Sequence, residues 1–358
     1  MPGCRVRMTS VLLVSALVLA AAPAVRAQAR AAGDTVGATR AGMLLEMLAH
    51  DSLEGRDTGT RGSAAAARML AAELARAGLE PAGDSGFFQR VPLAWQTVTL
   101  QNGQTRRRYV LLDRPEARDS VPAADRPAAP AVNVVGILRG ADPQLRNEAV
   151  VVTAHYDHVG IRAAVNGDSI YNGADDNASG TVAVLEVARL LARRAPKRTV
   201  VFVLVTGEER GGYGSRWYLE HPVLPLRQTV ANLNIEMIGR PDSLAGGLGK
   251  AWLTGFDRST MGAMLREAGI PLVPDPRPEQ RFFERSDNIA FARRGVPAHT
   301  ISSYNLHLDY HRPSDEVRFA DPAHMAAVIA AAARAVRLLA DGPAPQWAPG
   351  DSFGQVAR

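Results

Sequence analysis

An α/β domain whose sheet is covered on both faces is the fold this sequence predicts, and three observations carry that reading. Apolar runs alternate along the chain with segments of helical spacing, several of the apolar runs are continuous, and polar residues gather immediately after them. Continuous apolar runs suit strands buried on both faces, whereas a sheet with one wet face alternates apolar with polar residues. The 358 residues are 46% hydrophobic and 22% charged, a balance that supports a sizeable core and excludes disorder, collagen and a multi-span membrane protein.

The first 27 residues carry the features of a secretory signal. Arg5 and Arg7 precede an apolar run from Val11 to Ala22, and Val25-Arg26-Ala27 follows as a small-x-small cleavage site. Cleavage there makes Gln28 the mature N-terminus and the location periplasmic or secreted. The run is short for a bilayer, so no stable membrane insertion is expected after cleavage; an uncleaved anchor is the competing reading. The single cysteine, Cys4, lies before this run, which excludes thiol nucleophiles and cysteine metal sites from the mature chain. Of the formal charge of +5, three charges (Arg5, Arg7 and Arg26) belong to the same segment. The remaining arginines are scattered, with short clusters at 106–108 and 193–194 that read as solvated faces, so no nucleic-acid partner is expected.

GSAAAARMLAAELARAG (62–78) places Met69, Leu70 and Leu74 at helical spacing and ends in glycine, which predicts an amphipathic helix. Residues 92–112 hold two Val/Thr/Tyr-rich stretches around Asn102-Gly103, a hairpin signal. The Pro- and Ala-rich stretch 113–131 reads as a loop. Strands are predicted at 132–138, 149–155, 199–207, 230–238, 251–255 and 298–303. Helices are predicted over 178–194, 213–220, 258–269, 286–294 and 322–340, and the Pro/Gly-rich tail over 343–358 is expected to fray.

The polar residues that follow the strands lie where open α/β sheets place their ligands. His155 ends one strand within HYDHVG, Glu208-Glu209 follow a second, and Glu236 ends a third. Asp175 and Asp176 lie in GADDNASG before a helix, and His311 lies in LHLDYHRPSD. A mixed set of imidazoles and carboxylates suits zinc or another borderline divalent metal. Each element alone has an ordinary reading as a core histidine, a solvated turn or a helix cap; it is their joint order that points to a site.

With these residues in place the chain resembles the co-catalytic zinc aminopeptidases of the bacterial leucyl aminopeptidase and aminopeptidase S/Y type, whose superfamily includes glutamate carboxypeptidase II and the glutaminyl cyclases. LEGRDTGTRGS (53–63) looks like the usual opening of this family, and the spacings from His155 to Asp175, Glu209, Glu236 and His311 fit it. The resemblance implies a three-layer αβα domain over 28–342 with a mixed, mostly parallel central sheet, the zinc-dependent exopeptidase arrangement. It implies two divalent metal ions, zinc, with His155 and Glu236 on one, Glu209 and His311 on the other, and Asp175 bridging both. Glu208 takes the general-base position, Asp157 orients the His155 ring, and Asp176 is structural, with a cis peptide often found between the two aspartates.

The function implied is an exported metallopeptidase that hydrolyses N-terminal residues from peptides with a two-metal-activated water. Three ligand carboxylates against two dications leave one positive charge, which a bridging hydroxide neutralises. Two departures from the family pattern stand out: Glu236 replaces the aspartate of many relatives, and Asn288 in RSDNIAF replaces a common histidine. A glutaminyl cyclase with one zinc, or a non-catalytic peptide-binding module, are the alternative readings. The other histidines, at 50, 158, 221, 299, 307 and 324, read as structural or solvent-facing, with His307 nearest to interest. AGGLGKA (245–251) lacks the first glycine and the Ser/Thr of a phosphate-binding loop, and YGSRW lacks a nucleophile-elbow pattern.

Overall fold

The valine-rich runs pair with one another into a single large sheet. The computed structural model describes Gly3 and residues 36–356, so the signal-like run and its cleavage site lie outside the described residues. The strands are β1 (Glu80–Pro81), β2 (Phe88–Val91), β3 (Leu93–Thr99), β4 (Thr105–Leu111), β5 (Ala131–Leu138), β6 (Ala149–His155), β7 (Gly160–Val165), β8 (Asp168–Tyr171), β9 (Thr199–Val205), β10 (Thr229–Ile235), β11 (Ala251–Leu253), β12 (Leu272–Pro274) and β13 (Ala298–Ser302). The helices are α1 (Ala38–Leu48), α2 (Arg61–Arg76), α3 (Gly180–Ala192), α4 (Tyr213–Glu220), α5 (Thr260–Glu267), α6 (Asn288–Ala292) and α7 (Pro322–Asp341). Sheet order is β1-β5-β9-β6-β10-β13-β11-β12, with β2 also on β5, and β3–β4 and β7–β8 form separate hairpins. The central strands β9, β6, β10 and β13 run parallel, and antiparallel pairing begins at β5 and at β11.

Side chains of a strand point alternately to the two faces, and both faces here are covered. Val150, Val152, Val200, Phe202 and Leu204 join one core with α1, α2, α3 and α7, whereas Val151, Val201, Val203 and Val205 join a second with Tyr218, Leu219, Phe291 and Ala292 of α4 and α6. This two-sided burial is why the runs are continuously apolar, and each large side chain fully removed from water contributes about 1.5–3 kcal/mol. Helix α7 is long and apolar enough to cross a membrane by length and composition, yet it buries Met325, Val328, Ile329, Val336 and Leu339 in the first core. Asp321 caps it by accepting from the amides of Ala323 and His324, both at 2.9 Å, with Pro322 in the first turn.

The predicted helices and large strands are present, and the chain adds α1, the short strands β1, β2 and β12, and the β7–β8 hairpin. The last carries its own turn signal, Asn166-Gly167, with both residues at positive φ. The described part of the tail, 343–356, is docked rather than frayed. Trp347 donates its indole N–H to the Gly295 carbonyl at 2.9 Å, Arg258 pairs with Asp351 at 2.8 Å, and Trp347 and Phe353 pack around Phe283. Two aromatic anchors outweigh the backbone freedom that proline and glycine content suggests.

His299 on β13 lies beneath this tail, fully buried, with Nδ1 2.7 Å from the Thr254 carbonyl and Nε2 2.7 Å from Ser259 Oγ. Burial pushes its pKa down to about 4 from 6.5. The unfolded chain then binds the proton more readily, so the contribution is complete above pH 6.5 and is lost as pH falls toward 4. It is worth about 3 kcal/mol for one proton over that interval. Urea unfolding at about pH 7 and about pH 4.5 should show a smaller acid loss for His299→Gln than for the parent; equal losses would contradict this account.

Candidate metal centre

Because the central strands are parallel, their C-terminal ends open on one edge of the sheet. His155 ends β6 opposite Val205 of β9; Glu208 and Glu209 follow β9, and Glu236 follows β10. The turn before α3 supplies Asp176, and the loop after β13 supplies His311. Two groups of donor atoms result, each within 4.8 Å: His155, Asp176 and Glu236, and His158, Asp176, Glu209 and His311. His155 Nε2 lies 3.4 Å from Asp176 Oδ1 and 3.9 Å from Glu236 Oε1. His311 Nε2 lies 3.1 Å from both Asp176 Oδ2 and Glu209 Oε1. Asp176 thus turns one carboxylate oxygen to each group.

This corrects the reading of the two aspartates. Asp175 Oδ1 accepts from the Gly239 amide at 2.7 Å and Oδ2 lies 2.9 Å from His307 Nε2, so its carboxylate ties the segment after β10 to the His307 loop. The cis peptide is Asp176–Asn177, one residue later than the resemblance implies. Asp315 accepts from the amides of both aspartates at 3.0–3.1 Å and fixes the turn in which Asp176, not Asp175, faces the centre. Gly173 precedes it at φ 57, where a Cβ would lie 2.2 Å from the Asp176 carbonyl and 2.4 Å from the His158 ring. His158, read as structural or solvent-facing, is instead part of the cluster, with Nδ1 3.0 Å from Glu209 Oε1. Asp157 orients His155 through its backbone carbonyl at 3.1 Å from Nδ1, while its carboxylate stands 3.9 Å away. Its Oδ2 accepts from Thr58 Oγ1 at 2.9 Å and its Oδ1 from the Glu208 amide at 3.3 Å.

The GRDTGT stretch acts from behind. Arg56 is buried and donates to the carbonyls of Tyr156, Leu48, Asn172 and Gly173, at 2.6–2.9 Å. Asp57 accepts from Arg210 Nε at 3.0 Å, next to Glu209. Three consecutive side chains, from Arg56 to Thr58, therefore hold the loops that carry His155, Asp176 and Glu209. Asn288 is also buried, accepting from Thr300 Oγ1 at 2.9 Å and donating to the Phe283 carbonyl at 3.0 Å, so it supports β13 from beneath.

More carboxyl groups than imidazoles share this space. Burial pushes the Glu236 carboxyl up to about 7 and the Asp157 carboxyl up to about 6, each opposed by His155. Burial also drives Glu208 well above the carboxylate range, with Asp287, Glu236 and Glu209 adding repulsion against the pull of His155. On Glu209 burial is overridden by hydrogen bonds from His158 and His311, which hold it well below that range. His155 Nε2, His158 Nε2, His311 Nε2 and Asp176 Oδ2 are buried without a hydrogen-bond partner of proper geometry. Imidazole nitrogens and carboxylate oxygens that converge but do not pair well fit a divalent cation, and zinc takes this donor mixture.

Residues 133–336, more than half of the chain, match the model of peptidase family M28. The chain belongs to this family. A probable zinc metalloprotease of Pyrenophora teres f. teres is 36% identical over 111 residues, 30% of this chain and 22% of that protein. Leucine aminopeptidase 2 of Trichophyton equinum is 31% identical over 171 residues, 46% of this chain and 32% of that protein. The chain thus spans less than a third of the length of these curated relatives. Among solved structures, the zinc aminopeptidase BSAP from Bacillus subtilis shares the fold at a TM-score of 0.60 and 15% identity, covering 86% of this chain and 96% of that one. Beside the candidate metal centre of this M28 chain a pocket opens next to Glu236, walled by Trp252, Phe282, Arg285, Tyr304 and Tyr310.

Proposed function

We propose that this M28 chain is an exported aminopeptidase that hydrolyses N-terminal residues from peptides at a two-zinc site. The observation that carries the reading is Asp176, whose Oδ1 and Oδ2 face two separate donor groups. His155, Asp176 and Glu236 would hold one ion, and Asp176, Glu209 and His311 the other. When bound, the pair would polarise the scissile carbonyl and lower the pKa of a water to about 7.

The chain's own residues do the rest. Glu208 accepts the proton from the attacking water as its oxygen adds to the carbonyl carbon. It then delivers that proton to the amine nitrogen as the C–N bond breaks. The buried setting that raises its proton affinity suits this double duty. Two donor groups favour this reading over a one-zinc cyclase, and a full set of candidate ligands with the Glu208 carboxyl near them favours it over a binding module. Export rests on the Arg5/Arg7, apolar-run and Val25-Arg26-Ala27 pattern.

Activity on leucyl substrates should vanish after treatment with a chelator and return with zinc, and N-acetylated peptides should resist cleavage. An unimpaired chelated enzyme would overturn the metallopeptidase reading, and equal cleavage of acetylated peptides would overturn the aminopeptidase reading.

A further inference from the structure

The pocket beside Glu236 has a polar character that the hydrolysis itself does not need. Its hydroxyls at the base are engaged: Thr300 Oγ1 donates to Asn288 Oδ1 at 2.9 Å, Thr254 Oγ1 accepts from the Thr300 amide at 2.8 Å, and Ser302 Oγ donates to the Met237 carbonyl at 3.2 Å. Two strong donors on its walls are not. The Arg285 guanidinium lies over the Phe282 ring at 5.0 Å and has no carboxylate partner among the described residues. Trp252, stacked on Phe282 at 5.2 Å, is 1% exposed, and its indole N–H has no acceptor among the described residues. A buried donor left unpaired, as the Trp252 N–H is, is costly, and the exposed Arg285 guanidinium, with no carboxylate partner among the described residues, favours an anion. Glu236, the one acid on the pocket wall among the described residues, faces His155 instead.

We infer that this pocket receives a carboxylate of the substrate, paired with Arg285, with the indole N–H of Trp252 as the second donor and the rings of Phe282, Tyr304 and Tyr310 covering the methylenes that carry it. This rests on the aminopeptidase reading and names the substrate class. The carboxylate has two sources: the side chain of an N-terminal glutamate or aspartate, or the α-carboxylate of a dipeptide. An uncharged aliphatic side chain in the same place would cover both donors without pairing either.

The test compares kcat/KM for glutamyl-, glutaminyl- and leucyl-p-nitroanilide, and for Leu-Gly against Leu-Gly amide, in the zinc-loaded enzyme. In one of the two arms the carboxylate substrate should exceed its neutral isostere by roughly 10- to 100-fold, the range of hydrogen bonds to charged groups. A glutamyl preference identifies the side chain as the source, and a Leu-Gly preference identifies the α-carboxylate. Arg285→Met should collapse that ratio toward one, and Trp252→Phe, which keeps the ring and removes the N–H, should lower it. Ratios near one in both arms, or a preference that survives Arg285→Met, would overturn the inference while leucyl cleavage leaves the aminopeptidase reading standing. Failure to cleave any of these substrates would overturn both.

Discussion

Asp176→Asn should lose both of the proposed metals, and activity with them, whereas Asp175→Asn should keep both. The two residues are neighbours of identical chemistry, so the contrast isolates geometry. Asp176 directs one oxygen to the His155 group and the other to the His311 group, and asparagine leaves one of those directions with an NH2 that cannot ligate. Loss of partners that merely orient a ligand typically costs about 10–100-fold in metal affinity, so loss of a shared ligand should cost at least about 100-fold. Asp175→Asn retains an acceptor for the Gly239 amide, and the zinc affinity of that variant should stay within about tenfold of the parent, below the cost of a lost ligand. Zinc per chain after dialysis, measured by elemental analysis, checks both variants; equal loss in the two would contradict the assignment.

Glu208→Gln should give the second large effect, and of a different kind. Its side chain belongs to neither donor group, so zinc content and KM should remain near those of the parent. Removal of a positioned proton carrier should lower kcat about 10²–10⁴-fold. A fall in kcat and kcat/KM together marks an interaction made in the transition state. Glu209→Gln, by contrast, should lose zinc, since Glu209 Oε1 is the oxygen on which His158 and His311 converge. If Glu208→Gln empties the site while Glu209→Gln stays loaded, the two roles are exchanged.

Much of the architecture is legible in the chain because its signals are local and physical. AVVVTAH and TVVFVLV are buried on both faces, and short, valine-rich, continuous apolar runs suit the inner strands of a covered sheet. His155, Glu209, Glu236 and His311 stand out by position after strands or within one polar loop, and the structure brings them together. Which of two adjacent aspartates faces the centre is not legible, because it is decided by a turn that Asp315 holds from 140 residues away. His158 carries a faint signal in HYDHVG, three residues after His155, but alternation along an irregular loop does not say which way a ring points. Arg56 is visible only as part of a familiar stretch; that it binds four backbone carbonyls is a property of three loops meeting around it. The docked tail escapes a reading that weighs Pro and Gly content above Trp347 and Phe353.

Crystals of the zinc-loaded protein, measured for anomalous scattering at the zinc edge, test the central claim most directly. Two peaks per chain should appear, one on each side of Asp176, flanked by His155 and Glu236 and by Glu209 and His311. A single peak, or peaks that contact Asp175 and leave Asp176 free, would contradict it.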